Sequence, residues 1–120
     1  MKKILIVEDT ALNVDLLVQL LEDEYALVFA ADGAEGVNQA ATERPDLILM
    51  DVRMPKMTGY DACRAMKAEA SLKDIPVVFL SAKGQDSEIQ TGLEAGAEEY
   101  LLKPFAPDQL TERVKAILAK

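Results

Sequence analysis

The 120-residue sequence contains no histidine, no tryptophan and a single cysteine. Without histidine, the chain lacks the usual general base, the commonest transition-metal ligand and a phosphohistidine carrier. The lone Cys63 excludes an intramolecular disulfide and a cysteine-based zinc cluster, and it favours a reduced compartment. Any chemistry must therefore depend on carboxylates, hydroxyls and lysine.

Long apolar runs are also missing. Hydrophobic residues make up 50% of the sequence and charged residues 28%, but no run approaches the roughly 20 residues of a membrane-spanning helix. At the N-terminus, the apolar run from Ile4 to Val7 is followed by acidic residues, which is not the pattern of a signal peptide. We therefore expect a cytoplasmic protein without membrane insertion, folded as one domain over residues 1–120.

Positive charge is in deficit. The sequence has 13 basic and 21 acidic residues, for a formal net charge of −8. Binding to the phosphate backbone of nucleic acids depends on clustered lysine and arginine. We therefore expect no direct contact with nucleic acid, and a DNA-binding role would need another domain.

Short apolar segments alternate along the chain with segments of helical period. Five of them predict strands, and their unbroken apolar character indicates that both faces of the sheet are covered. These segments are KILIV (3–7), ALVFA (26–30), DLILM (46–50), IPVVFL (75–80) and EYLL (99–102). Alternation with five helices predicts an α/β fold, a (βα)5 doubly wound parallel sheet of flavodoxin-like order 2-1-3-4-5.

The helical segments differ in the strength of their signals. Asp32 and Thr58 are each followed three residues later by an acidic residue, as at helix N-termini. The segment from Asp86 to Ala95 has only Ile89 and Leu93 as large apolar anchors, so we expect it to be the most mobile helix. Apolar stripes are predicted for the first helix (Leu12, Leu16, Leu17, Leu20, Leu21) and the last (Leu110, Val114, Ile117, Leu118).

Polar residues follow the predicted strands at the edge where the strands' carboxyl ends meet. Glu8 and Asp9 come after the first strand, Asp51 after the third, Ser81 after the fourth and Lys103 after the fifth. Carboxylates crowded together repel one another, so one of them needs a raised pKa or a cation. Ligands that are all oxygen favour Mg²⁺, with Mn²⁺ as a substitute.

Lys103 and Ser81 add hydrogen-bond donors to these acids. The lysine is suited to neutralise Asp51 and to contact a phosphoryl oxygen, and the serine hydroxyl to donate to another. Together the residues predict phosphoryl transfer with an aspartate carboxylate as nucleophile. Taken singly, each has a simpler interpretation as a helix cap, a loop hydroxyl or a surface charge, but their convergence on one edge favours a site.

Four segments of the chain resemble the signature segments of the receiver domain of bacterial two-component response regulators. They are ILIVEDT, DLILMDVRMPKMTGYD, IPVVFLSAK and AGAEEYLLKPF, in that family's order and approximate spacing. The resemblance runs from Lys2 to the end of the chain. It implies a signalling protein rather than an enzyme, in which Asp51 accepts a phosphoryl group from a sensor histidine kinase or a histidine phosphotransfer protein and is slowly dephosphorylated.

The same resemblance implies a role for each residue of the site. Asp9, Asp51 and the backbone carbonyl of Arg53 would hold Mg²⁺, and Glu8 would assist. Lys103 would act with the phosphoacceptor in catalysis. These roles rest on the match to the family's motifs.

A switch is implied as well. Ser81 and Tyr100 would respond to the phosphoryl group and change the face formed by the fourth helix, fifth strand and fifth helix, which binds a downstream effector protein or domain. Arg53 and Lys83, two residues beyond Asp51 and Ser81, occupy positions where the family tunes dephosphorylation by water. We expect these two basic side chains to lengthen the phosphorylated lifetime.

Three other functions share parts of this pattern. A haloacid-dehalogenase-type phosphatase also uses an aspartate after an apolar strand but needs a second aspartate where Arg53 stands. A flavodoxin-like cofactor carrier needs a Ser-, Thr- and Gly-rich loop after the first strand, where this chain has EDTALN. A degenerate receiver acting as a constitutive binding module would lack some of the five expected site residues, and all five are present.

Overall fold

A computed structural model describes residues 1–54, 56–81, 86–103 and 106–119 of the chain. Strands and helices alternate strictly through these ranges. In chain order they are β1 (Lys3–Val7), α1 (Ala11–Leu21), β2 (Ala26–Ala30), α2 (Gly33–Glu43), β3 (Leu47–Asp51), α3 (Gly59–Ala68), β4 (Val77–Ser81), α4 (Asp86–Glu94), β5 (Glu99–Leu102) and α5 (Pro107–Leu118). Within these ranges, no helix combines the length and the hydrophobicity of a membrane-spanning segment.

The five strands form one parallel sheet in the order β2-β1-β3-β4-β5. This confirms the predicted (βα)5 fold and its strand order. The third and fourth strands begin and end later than predicted, so that Asp51 and Ser81 are the last residues of β3 and β4 rather than the first residues after them. Both polar residues are therefore held by the sheet itself, with Asp51 opposite Leu80 and Ser81 opposite Leu102.

The sheet separates two apolar cores, because alternate residues of each central strand point to opposite faces. Leu5, Val7, Ile48 and Met50 pack on one face with α2 and α3, and Ile4, Ile6, Leu47 and Leu49 pack on the other with α1 and α5. This explains the unbroken apolar runs of β1, β3 and β4, since both faces of these central strands are buried. The edge strands β2 and β5 are covered less completely, and Phe29 and Leu102 are exposed. Cys63 and Met66 of α3 lie in the first core, as expected for packing residues.

The leucine stripe predicted for α1 is only partly buried. Leu17 and Leu21 are in the second core and Leu20 packs against it, but the side chains of Leu12 and Leu16 are 77% and 42% exposed. Adjacent helical residues lie about 100° apart around the axis, so Leu16 cannot share the buried direction of Leu17. Treating all five leucines as one buried stripe was wrong.

The predicted anchors of α4 also need correction. Leu93 is 42% exposed, and Ile89 is only half-buried. Contact with the core is made instead by small residues, since Gly92 and Ala95 are buried and a Cβ atom at Gly92 would lie 2.8 Å from the ring of Tyr100. The expected mobility of α4 remains a prediction.

Two of the predicted helix N-termini are capped by side chains. Asp32 Oδ1 accepts a hydrogen bond from the backbone N–H of Glu35 at 2.8 Å, and Thr58 Oγ1 accepts one from Asp61 at 3.2 Å. Thr10 occupies the equivalent position before α1 without making a side-chain capping bond. The two threonines therefore differ in what their hydroxyl groups contribute.

Removing the cap of α3 is expected to destabilise the protein. Thr58→Ala should lower the free energy of unfolding by about 1 kcal/mol, because one backbone N–H of the first turn loses its partner. Thr10→Ala is the matched control and should cost clearly less in a chemical denaturation experiment. Equal losses for the two variants would contradict the capping interpretation.

Candidate functional site

Three carboxylates meet at the carboxyl edge of the sheet. Glu8 and Asp9 follow β1, and Asp51 ends β3, the neighbouring strand. One oxygen atom from each residue lies within 4.8 Å of the others. The structure thus brings together the three acids that the sequence predicted to converge.

Glu8 is the most deeply buried of these acids, with a side chain only 2% exposed. Three donors satisfy its carboxylate: the N–H of Thr10 at 3.2 Å, the amide of Asn13 at 3.2 Å and the ammonium group of Lys103 at 3.1 Å. A buried carboxylate is tolerated when it is paired and hydrogen-bonded in this way. Its oxygens are therefore already committed within the protein.

Lys103 is positioned at the site by the sheet. Its backbone N–H donates to the carbonyl oxygen of Ser81 at 2.8 Å, directly after β5. Its Nζ then reaches Glu8 Oε1 at 3.1 Å and Asp51 Oδ1 at 3.6 Å. The predicted contact of this lysine with Asp51 is present, but its shorter contact is with Glu8.

Asp51 is held in an environment that disfavours its charge. Burial and the nearby Glu8 carboxylate raise the pKa of Asp51 from its ordinary 3.8 to about 6, although Lys103 and the N–H of Val52 act in the opposite direction. The Val52 N–H donates to Oδ1 at 2.9 Å, the oxygen that also faces Lys103. No described residue donates a hydrogen bond to Oδ2.

The three acids fit a hard divalent cation. Their donors are all carboxylate oxygens, and burial together with the charge of Glu8 raises the pKa of Asp51 despite the nearby Lys103. Because Glu8 accepts hydrogen bonds from three donors, the exposed Asp9 and the Oδ2 atom of Asp51 are better placed to contact a cation directly. Glu8 is better suited to support them.

The structure gives fewer contacts for the other predicted site residues. Ser81 is buried at the end of β4, one residue beyond the register partner of Asp51. The side chain of Arg53 is exposed, and Tyr100 is half-buried in β5. Lys83 and the Pro104 that follows Lys103 lie outside the described residues.

Gly59 contributes to the site and was not singled out from the sequence. Its backbone N–H donates to the carbonyl oxygen of Val52 at 2.8 Å. A Cβ atom at this position would lie 2.3 Å from the carbonyl oxygen of Asp51, so no side chain fits. The sequence feature that could have identified it is a glycine directly after the N-cap residue of α3, a position that most residue types can occupy.

Lys56 and Met57, which lie between β3 and α3, contact the start of α2. Lys56 adopts a left-handed backbone conformation with φ of 70°, and its Nζ lies 3.7 Å from Asp32 Oδ2 at the start of α2. A Cβ atom on Gly33 would lie 2.7 Å from the carbonyl oxygen of Met57, which shows how closely loop and helix approach. The first turn of α2 therefore supports the loop that contains Arg53.

The raised pKa of Asp51 predicts a pH-dependent effect on stability. The folded state favours the protonated form, so stability is fully present below the unfolded pKa and falls as the pH rises from about 4 through about 6. Without divalent cations, Asp51→Asn should stabilise the protein at about pH 7.5 by about 1 kcal/mol, allowing for solvent screening of this open site, and have little effect near pH 4.

Thermal denaturation at several pH values measures this difference. Asp23→Asn, which neutralises an exposed carboxylate in the turn after α1, is the matched control and should not show the same pH dependence. A stabilisation by Asp51→Asn that is equal at both pH values would contradict the assignment of unfavourable charge to Asp51.

The chain is similar to characterised regulators in sequence. It is 41% identical over 120 residues to the alkaline phosphatase synthesis transcriptional regulatory protein PhoP of Bacillus subtilis (strain 168). The match covers 99% of this chain and 49% of PhoP, so the chain spans about half the length of that relative.

Solved structures give the same result. A putative response regulator from Chloroflexus aurantiacus superposes with a TM-score of 0.94 at 37% identity, covering 99% of this chain and 98% of that one. The receiver domain of a sensor histidine kinase from Pseudomonas aeruginosa, whose structure has a magnesium ion in its active-site cleft, gives 0.92 at 32% identity with the same coverage. The family model described as the response regulator receiver domain matches residues 4–115. The chain therefore belongs to the receiver domains of two-component response regulators.

Proposed function

We propose that this receiver domain accepts a phosphoryl group on Asp51 and reports the modification through a change of its surface. The observation that carries the proposal is the location of Asp51 at the end of β3, beside Glu8, Asp9 and Lys103. The N–P bond of a phosphohistidine breaks as an O–P bond to the Asp51 carboxylate forms, and the released imidazole remains with the donor. These 120 residues contain no histidine, so the phosphohistidine belongs to a sensor histidine kinase or a histidine phosphotransfer protein.

The two oxygens of Asp51 have different tasks in this proposal. Oδ1 accepts the Val52 N–H and faces Lys103, which fixes the orientation of the carboxylate. Oδ2 receives no hydrogen bond from a described residue and is the oxygen that attacks phosphorus. Fixing one oxygen orients the other for in-line attack, which lowers the entropic part of the barrier.

Asp9, Asp51 and the backbone carbonyl of Arg53 would hold Mg²⁺, and Mn²⁺ could replace it because every donor is oxygen. The bound ion supplies positive charge to the transferring phosphoryl oxygens. Glu8 supports this arrangement by holding Lys103 and the first turn of α1 in place. It therefore acts mainly as an internal acceptor.

Lys103 and Ser81 complete the set of groups around the phosphoryl oxygens. The ammonium group already lies 3.6 Å from Asp51 Oδ1, so it needs only a small displacement to contact a bound phosphoryl group. The Ser81 hydroxyl, at the end of the adjacent strand, donates to another of the oxygens. Such preorganised donors stabilise charge that develops during transfer.

The output in this proposal is a change in the face formed by α4, β5 and α5. Ser81 responds to the phosphoryl group, Tyr100 moves with it, and a downstream effector protein or domain binds the altered face. The net charge of −8 argues against direct binding of this domain to nucleic acid, and a cytoplasmic location fits its dependence on a phosphohistidine donor. Slow hydrolysis of the acyl phosphate then ends the signal.

Phosphorylation is expected when the protein is incubated with acetyl phosphate and Mg²⁺. Intact-mass measurement should show a gain of one phosphoryl group, and chelation of divalent cations should abolish it because the phosphoryl charge is no longer neutralised.

Asp51→Asn should abolish the mass gain, while Asp46→Asn is the matched control and should retain it. Asp46 precedes β3 at the opposite edge of the sheet, where its carboxylate accepts the N–H of Lys3 at 2.8 Å. Absence of the gain in the unmodified sequence, or its persistence in Asp51→Asn, would refute the proposal.

Arg53 and Lys83 are expected to slow hydrolysis by restricting the approach of water. The exposed side chain of Arg53 lies two residues beyond the phosphoacceptor, so Arg53→Ala and Lys83→Ala should each shorten the phosphorylated lifetime by roughly twofold to tenfold, the range of a modest electrostatic or steric contribution.

The decay of the phosphorylated mass after removal of acetyl phosphate measures this lifetime. Arg64→Ala is the matched control, since Arg64 is an exposed arginine of α3 paired with Asp61 at 3.0 Å. Equal lifetimes in the unmodified sequence, Arg53→Ala and Lys83→Ala would reject shielding.

A further inference from the structure

Tyr60 joins three separate elements of the fold through its hydroxyl group. It belongs to the first turn of α3, and its Oη lies 3.1 Å from Tyr100 Oη on β5. The same atom lies 3.1 Å from the backbone oxygen of Glu88 and 3.4 Å from its carboxylate, both on α4. One hydroxyl thus links α3, α4 and β5.

The hydrogen atoms available in this cluster define the direction of the bonds. A phenol has one proton to donate and can also accept. Tyr60 donates to the carbonyl oxygen of Glu88, which can only accept, so Tyr100 donates to Tyr60. Burial and the bond with Tyr100 raise the pKa of Tyr60, and its hydroxyl therefore remains protonated at neutral pH.

Aromatic packing supports the same arrangement. The ring of Phe79 contacts Tyr60 edge to face at a centroid distance of 5.2 Å, and Tyr100 at 5.9 Å. Gly92 of α4 packs so closely that a Cβ atom would lie 2.8 Å from the Tyr100 ring. The position of Tyr100 is therefore defined by both its ring and its hydroxyl.

Among the described residues, Tyr60 alone donates a hydrogen bond from another element to the first turns of α4. Leu93 is exposed, and the bond from Cys63 Sγ to Ala95 at 3.3 Å fastens only the end of the helix. The bond from Tyr60 to Glu88 thus fastens the beginning of α4, next to the segment that follows β4. Losing it should loosen this helix more than any other element.

Tyr60 is also linked to the phosphoacceptor through the backbone. Its neighbour Gly59 donates to Val52 at 2.8 Å and packs against the carbonyl oxygen of Asp51 too closely for a side chain. A displacement of the end of β3 is therefore transmitted to Tyr60 over one residue. The connection does not involve Ser81.

We propose that Tyr60 is a positioning residue that fastens α4 and Tyr100 to the backbone beneath Asp51, and so couples the α4–β5 surface to the site through α3. The coupling between Tyr60, Tyr100 and α4 is a property of the unmodified protein. Its use in signalling rests on the proposed phosphorylation of Asp51.

Hydrogen–deuterium exchange of the unmodified protein tests whether the Tyr60 hydroxyl stabilises α4. Tyr60→Phe keeps the ring and removes the hydroxyl, so exchange in α4 should accelerate roughly threefold to tenfold, as expected for the loss of one or two hydrogen bonds. Tyr25→Phe is the matched control, because Tyr25 packs against the core on the other face of the sheet. Unchanged exchange in α4, or an equal acceleration in all elements, would overturn the proposal.

A double-mutant cycle tests the bond between the two tyrosines. Tyr60→Phe and Tyr100→Phe remove the same hydrogen bond, so their effects on α4 exchange should be clearly less than additive when combined. Additive effects would show that each hydroxyl acts independently, and they would overturn the coupling.

Treatment with acetyl phosphate and Mg²⁺ tests the signalling role. At equal phosphorylated mass, the change in α4 exchange on phosphorylation should be smaller in Tyr60→Phe than in the unmodified sequence. An equal change would overturn the signalling role. If the unmodified sequence gains no phosphoryl mass, the proposed function fails. The exchange measurements on unphosphorylated protein still show whether Tyr60 holds α4 in place.

Discussion

Electrostatic repulsion among three carboxylates at the end of β1 and β3 is the constraint around which the site is organised. Among the described residues, Lys103 is the cation that contacts both Glu8 and Asp51, at 3.1 and 3.6 Å. This contact requires β5 to lie next to β4, where Lys103 bonds the Ser81 carbonyl. Burial and the charge of Glu8, which Lys103 does not offset, raise the pKa of Asp51, and the three carboxylates together fit a divalent cation. Lys103 thus connects the electrostatics of the site to the strand order that places β5 beside β4.

The sequence predicted the sheet and the convergence of the acids because both follow from local patterns, namely unbroken apolar runs and the polar residues that end them. It could not predict which acid would be buried. Glu8 is satisfied by Lys103, which is 95 residues away in the chain, and such a pairing exists only after folding. The bounds of β3 and β4 also lie later in the sequence than predicted, and the cause is again a contact that forms only in the folded sheet. Backbone pairing continues into Asp51 and Ser81, although their side chains do not look like those of a strand.

Large apolar residues were a poor guide to the packing of two helices. In α1, Leu12 is 77% exposed because it lies away from the direction that buries Leu17 and Leu21. In α4, Gly92 and Ala95 make the close contacts and Leu93 does not. The apolar pattern of a sequence emphasises bulky side chains. A helix can nevertheless pack on an aromatic ring through its backbone, at a glycine such as Gly92. For the same reason Tyr60 and Gly59 gained significance only once their partners were known.

The strand order has a mechanical consequence for the proposed switch, in which the site stays aligned while the face formed by α4, β5 and α5 changes. Within the part of the chain that the structure describes, β1, β3 and β4 each pair with two neighbours, whereas β5 pairs with β4 alone. The acids and Ser81 therefore stand on or directly after strands restrained from both sides. Tyr100 stands on an edge strand of four residues, where a shift disturbs a single ladder of hydrogen bonds. In the proposed switch, the central strands would keep the reacting atoms aligned, and the edge strand would shift more readily where a partner binds.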